Sequence, residues 1–139
     1  MKKQIKSFLK IINNFKNKNV LSYNKFAVFI YHRVLPYNNF DLSGSTVLQK
    51  IFIDQINYIN NNFKIVNYKN LFHHKDNSSK IKALITFDDG YIDNYKYAYP
   101  ILKKLNIPAL FFIPTYYLNN KIIWDRYLSI LLQYSNSSN

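Results

Sequence analysis

Four apolar runs, separated by helix-length or polar stretches, constrain this chain more than any other feature. They are KFAVFIYHRVL (25–35), FKIVNY (63–68), KALITF (82–87) and PALFFI (108–113). β-Branched and aromatic residues dominate them, so each reads as a buried strand. Between the first two, Leu48, Phe52, Ile56 and Ile59 recur on one helical face, with Ser45 or Thr46 placed to cap the helix. Between the last two, residues 93–105 read as helical with a break near Pro100. Proline suits a first helical turn, so PILKKLN reads as a fresh helix start. WDRYLSILLQY (124–134) reads as a last helix, whereas PYNNFDLSG (36–44) and HHKDNSSK (73–80) carry turn and loop chemistry. Strands separated by helices predict an α/β fold with a parallel sheet and crossover helices.

Chemistry in such sheets gathers at the carboxyl ends of the strands. Asp88 and Asp89 follow KALITF directly, and His32 lies near the end of the first run. The sequence holds seven acidic residues, all aspartate, so two side by side at one strand end stand out. Gly90 permits a sharp turn because it takes positive φ without a Cβ clash. Two bare carboxylates so close would repel and one would hold its proton. A divalent cation removes that conflict: one aspartate ligates it and the other stays free as a base. The plainer reading of Asp-Asp-Gly in isolation is a polar turn or a helix cap.

Charge and composition narrow the function classes. The formal net charge is +12, a balance that favours anionic partners. The lysines are scattered, however, and only Arg33 and Arg126 offer guanidinium forks, so specific nucleic-acid binding is not expected. The chain has no cysteine, which excludes disulfides and thiolate metal sites. The joint excess of Asn, Lys, Ile, Tyr and Phe looks like a coding bias. The N-terminus begins with lysines, but Lys10, Asn13 and Asn14 interrupt the ~7–15-residue apolar stretch of a signal peptide. No run approaches the ~20 apolar residues of a membrane span. Ile5, Phe8, Leu9, Ile12 and Phe15 instead share one helical face. The expected organisation is a basic amphipathic helix or extension over 1–24, a catalytic-type domain over 25–134 and a polar tail over 135–139. The first helix is expected to pack on its own domain; peripheral membrane contact through residues 1–18 is the alternative.

The surroundings of the aspartate pair are more specific than the pair. TFDDGYIDNY, followed by YPILKKLNIPALFFI and preceded by IYHRVLP, resembles the polysaccharide deacetylase family, carbohydrate esterase family 4. The resemblance covers about residues 26 to 130. It is nearest to members whose first strand ends in Tyr-His, and IIWDRYLSIL also looks like a segment of some members. It implies a distorted (β/α) barrel, often of seven strands, and metal-dependent hydrolysis of N-acetyl groups on the amino sugars of a glycan. The metal implied is divalent, zinc first, with cobalt or nickel as alternatives. By the family pattern Asp88 is the general base, Asp89 a metal ligand and His32 the general acid. The oligomeric state and the localisation stay open, although many members are exported or act at the cell surface.

This chain departs from the family pattern in two respects: a histidine ligand pair is absent, and so are the later arginine-proline and other substrate-side motifs. The family's His-Ser/Thr-x-x-His ligand pair follows the I-P-A-x-F-F strand, and here no histidine lies beyond His74. His73 and His74 are adjacent, precede the aspartates and read as surface residues. The chain therefore looks like the first half of a deacetylase domain, a partial barrel of about four strands. The alternative is a catalytically inactive remnant that binds carbohydrate. A basic membrane-surface or nucleic-acid-binding module ranks behind both. Asp93 and Asn94 read as helix-start caps, Asp125 as a surface or capping residue, and Tyr31 and Trp124 as core aromatics rather than sugar platforms. Arg33 is a candidate ion-pair partner for a motif carboxylate.

Overall fold

The computed structural model describes residues 6–10, 12–13, 26–37, 44–72, 80–118, 127–128 and 131. Six strands follow in order: β1 (Phe26–Tyr31), β2 (Arg33–Leu35), β3 (Thr46–Leu48), β4 (Lys64–Ile65), β5 (Lys82–Phe87) and β6 (Leu110–Phe111). All strand pairs are parallel. β5 is the centre, and every residue after Lys82 in it is buried. β1 pairs along its whole length, from Phe26 beside Lys82 to Tyr31 beside Phe87.

The other edge of β5 is shared. Ala83 O accepts from Val66 N (2.9 Å) and Phe87 O accepts from Phe112 N (2.8 Å). Thus β4 lies beside Lys82 and Ala83, and β6 beside Thr86 and Phe87. β2 and β3 form a separate two-stranded sheet.

The main core lies on the face of β1 and β5 that carries Ala27, Phe29, Tyr31, Ala83, Ile85 and Phe87. The Gln49–Asn62 helix buries Ile51, Phe52, Ile56 and Ile59. Phe52 meets Tyr31 edge-on at 5.0 Å, and Phe87 stacks on Phe111 at 4.8 Å. Such ring pairs add to the area they bury. Residues 6–10 and 12–13 are helical. Phe8 lies 6.1 Å from both Phe29 and Tyr58, and Ile12 is buried in the same core. These two side chains of the first helix pack on the domain. No helix among the described residues is long and apolar enough to cross a membrane.

Several local expectations are corrected. The 25–35 run is two strands, because the chain leaves β1 at His32 and turns Arg33–Leu35 into the second sheet. Ser45 and Thr46 do not cap the helix: Thr46 begins β3, Leu48 is the N-cap, and no side-chain cap bond forms there. A β-branched threonine suits the strand as well as the cap, and pairing with β2 decides between them. FKIVNY contributes only Lys64–Ile65 to the sheet before the Tyr68–Asn70 3-10 turn. The break near Pro100 is a change of helical register. A π-helical stretch Asn94–Ala98 runs into the α-helix Tyr99–Lys104, with the proline in its first turn. His73, His74, Trp124 and Asp125 lie outside the described residues.

Tyr31 is core, as its apolar neighbours require. Burial pushes its phenol well above the ordinary value, and its hydroxyl has no protein partner. Folding therefore favours the neutral phenol. That contribution is present in full below the unfolded value of about 10 and declines as pH rises above it. Tyr31→Phe is expected to leave stability at pH 7 unchanged or raise it by about 1 kcal/mol, since an unpartnered hydroxyl leaves the core. It is also expected to flatten the loss of stability between about pH 10 and 11. Urea unfolding at both pH values checks this, and a marked loss at pH 7 would contradict the packing described.

Candidate active site

Parallel pairing sets the site. Tyr31 and Phe87 are the last partners of β1 and β5, and the Asp88 N–H donates to Tyr31 O at 2.9 Å. His32 and Asp88 therefore stand next to each other just past the carboxyl ends of two neighbouring strands. Strands in a sheet lie about 4.8 Å apart, so 56 positions of sequence separation collapse to adjacent backbones. Both residues are partly exposed.

The turn after β5 explains the aspartate pair in part by backbone geometry. Asp89 has φ 70° and Gly90 has φ 61°, so two successive residues are left-handed. Glycine takes that conformation freely, and aspartate tolerates it better than most residues. The crowding at Gly90 adds a second restriction. A Cβ there would stand 3.1 Å from Ile113 Cδ1. Beside the turn, a cavity of about 330 Å³ is walled by Gly90, Tyr91, Asn94, Tyr95, Phe111 and Ile113.

Arg33 does not pair with Asp88 or Asp89. Its Nε donates to Asp93 Oδ2 at 2.9 Å, and the Val34 N–H donates to Asp93 Oδ1 at 3.1 Å. The Arg33 guanidinium also lies 4.8 Å from the centre of the Tyr91 ring. Asp93 is 3% exposed and occupies the N-cap position of the π-helical stretch, but its side chain makes no cap bond. The expected cap is thus an ion pair to a distant strand. Asn94 is likewise no cap: it is buried, and neither polar atom of its side chain has a protein partner. The sequence did hold a signal for the Asp93 contact. A guanidinium directly after His32 and a carboxylate four positions after Asp89 are complementary charges on the two segments that meet.

Among the described residues, no group of three or more His, Cys, Asp or Glu side chains is placed to hold a metal ion. Structural and catalytic zinc sites draw at least three protein ligands. Among the described residues, the donors at this strand end fall short of that number.

The polysaccharide deacetylase family matches residues 75–132, a span that begins before β5 and includes the Asp-Asp-Gly turn and β6. Over that span the chain is similar to polysaccharide deacetylases. Over 31 residues the chain is 61% identical to YxkH of Bacillus subtilis (strain 168), which carries a polysaccharide deacetylase name; the match covers 22% of this chain and 11% of that protein. The fold is similar to that of a de-N-acetylase from Aggregatibacter actinomycetemcomitans, with a TM-score of 0.58 and 24% identity over 70% of this chain and 40% of that one. It is also similar to IcaB from Ammonifex degensii (TM-score 0.55, 29% identity, 66% of this chain, 39% of that one). The Streptococcus pyogenes deacetylase PplD, solved with acetate, gives a TM-score of 0.51 and 27% identity over 63% of this chain and 41% of that one. The match thus spans about 40% of the length of these solved chains, and the α/β fold is of their type.

The Asp-Asp-Gly turn is open to a direct check. Gly90→Ala is expected to destabilise the chain by about 1–2 kcal/mol from the left-handed backbone alone, with the Ile113 contact adding to it. Ile113→Ala in the same chain should relieve the contact and leave the backbone cost. Urea midpoints of the two variants test this, and an unperturbed Gly90→Ala midpoint would contradict the turn.

Proposed function

We propose that this chain supplies the acid–base part of a hydrolase that removes N-acetyl groups from the amino sugars of a glycan. The observation that carries the reading is the strand register that stands His32 beside Asp88, next to the Asp89–Gly90 turn. The de-N-acetylase and deacetylase names of the solved relatives support it. The parallel sheet is read as part of a distorted (β/α) barrel.

In this reading Asp88 takes a proton from water as the water oxygen attacks the acetyl carbon. His32, as imidazolium, gives a proton to the sugar nitrogen as the carbon–nitrogen bond breaks. The products are acetate and a free amine. An amide is a poor electrophile with a poor leaving group, so both transfers matter. The family implies a divalent ion, zinc first, with Asp89 among its ligands. The described residues do not complete such a site, and ligands from outside them are needed.

That shortfall also favours a second reading, an inactive deacetylase relative that still binds sugar. Two measurements test the readings. N-acetylglucosamine oligomers titrated into isotope-labelled chain are expected to shift the amide signals of His32 and Asp88–Tyr91 and to leave the Gln49–Asn62 helix unmoved. Absence of shifts at His32 and Asp88 would sink both readings. Free-amine release by the purified chain with Zn²⁺, Co²⁺ or Ni²⁺ is expected to stay near background, because a missing ligand pair costs more than the 10–100-fold typical of outer-shell losses. Robust metal-dependent turnover, abolished by Asp88→Asn, would show a complete ligand set and rule out the inactive relative.

A further inference from the structure

We propose that Asp93 is a positioning residue that sets the spacing between His32 and Asp88. The inference rests on the site reading above, which takes these two groups as the ones whose spacing matters. His32 lies between two anchors. On one side the Tyr31 carbonyl accepts from the Asp88 N–H at 2.9 Å. On the other, Arg33 Nε and the Val34 N–H both donate to the Asp93 carboxylate, at 2.9 and 3.1 Å. Both anchors therefore attach the joint between β1 and β2 to one continuous segment, residues 88 to 93.

Tyr91 closes the arrangement, because the Arg33 guanidinium lies against its ring, between the Asp89–Gly90 turn and Asp93. The chain departs from β1 at His32, and the second anchor joins the β2–β3 pairing and the burial of Val34 in fixing how β2 leaves that residue. A backbone donor and a charged donor on one carboxylate specify an orientation that either contact alone would leave loose. At 3% exposure the Asp93 carboxylate is also costly to leave unpaired, which keeps the contact closed in the folded chain. Its acid–base state plays no part in the role assigned; its direction and its two partners do.

The test reads position and local opening, not turnover, so it stands or falls separately from the deacetylase reading. The chain has no cysteine, so His32→Cys with Asp88→Cys makes a single disulfide pair. Adjacent positions on neighbouring strands fall in the ~4.4–6.8 Å Cα range that a disulfide needs. With Asp93 in place the pair is expected to close readily under oxidised glutathione. Asp93→Asn in the same chain should slow closure by about tenfold or more.

In the cysteine-free chain, Asp93→Asn should speed amide exchange about tenfold or more at Val34 and Asp88, with Leu84 and Ile85 in β5 unchanged. A carboxylate that merely stabilised the fold would speed all four amides together. Should Asp93→Asn fail to fold, Arg33→Lys, which keeps the charge and removes the Nε–H, carries the same two measurements. Uniform acceleration, or a closure rate that does not depend on Asp93 or Arg33, overturns the proposal.

Discussion

Burial of β5 on both faces is the constraint from which the rest of the structure follows. A strand with no solvent face must satisfy its whole backbone inside the protein, because an unpaired buried amide costs about as much as a lost hydrogen bond. β1 takes one edge entire, and β4 and β6 divide the other. Helices then cover one face through Phe52, Ile56 and Ile59, while Leu84 packs with Val66 and Leu71 on the other. Because β1 runs beside β5 to its last residue, the two strand ends coincide, and the side chains that follow them are neighbours by construction.

Around that shared end, charge is distributed with some economy. Arg33 is committed to Asp93 and to the Tyr91 ring, so its positive charge is compensated beside the motif carboxylates instead of at them. The π-helical stretch from Asn94 to Ala98 follows at once, and π-turns of this kind often accompany functional sites.

Much of this was legible in the residues, and the exceptions have physical causes. KALITF is strand β5 to the residue, because its composition, length and flanks all agree. The apolar face at Phe52, Ile56 and Ile59 identified the long helix, and apolar pressure identified Tyr31 as core. The Asp-Asp-Gly turn was readable from Gly90. That Asp89 would share its left-handed backbone was not, because a carboxylate advertises chemistry more loudly than conformation. The Tyr-His resemblance marked the end of the first strand, but that Arg33–Leu35 forms a second one was hidden, since KFAVFIYHRVL is apolar on both sides of His32. Asp93 was read by local rules as a cap, and a contact across 60 positions overrode them. Thr46 went the same way when β2 offered it a partner.

The two faces of β1 have a consequence for how the chain reaches this arrangement. Its inward row is Ala27, Phe29 and Tyr31, and its outward row is Phe26, Val28 and Ile30, with Val28 and Ile30 exposed at 43% and 58%. Both rows are apolar, so the alternation that ordinarily forbids a one-residue slip is missing. Displaced by one position against β5, this strand would still bury hydrocarbon, yet His32 would no longer stand beside Asp88 and the donors to Asp93 would miss. The polar contacts at the strand end thus act as a proofreading step for register. Of two hydrophobically similar pairings they accept the one that sets His32 beside Asp88.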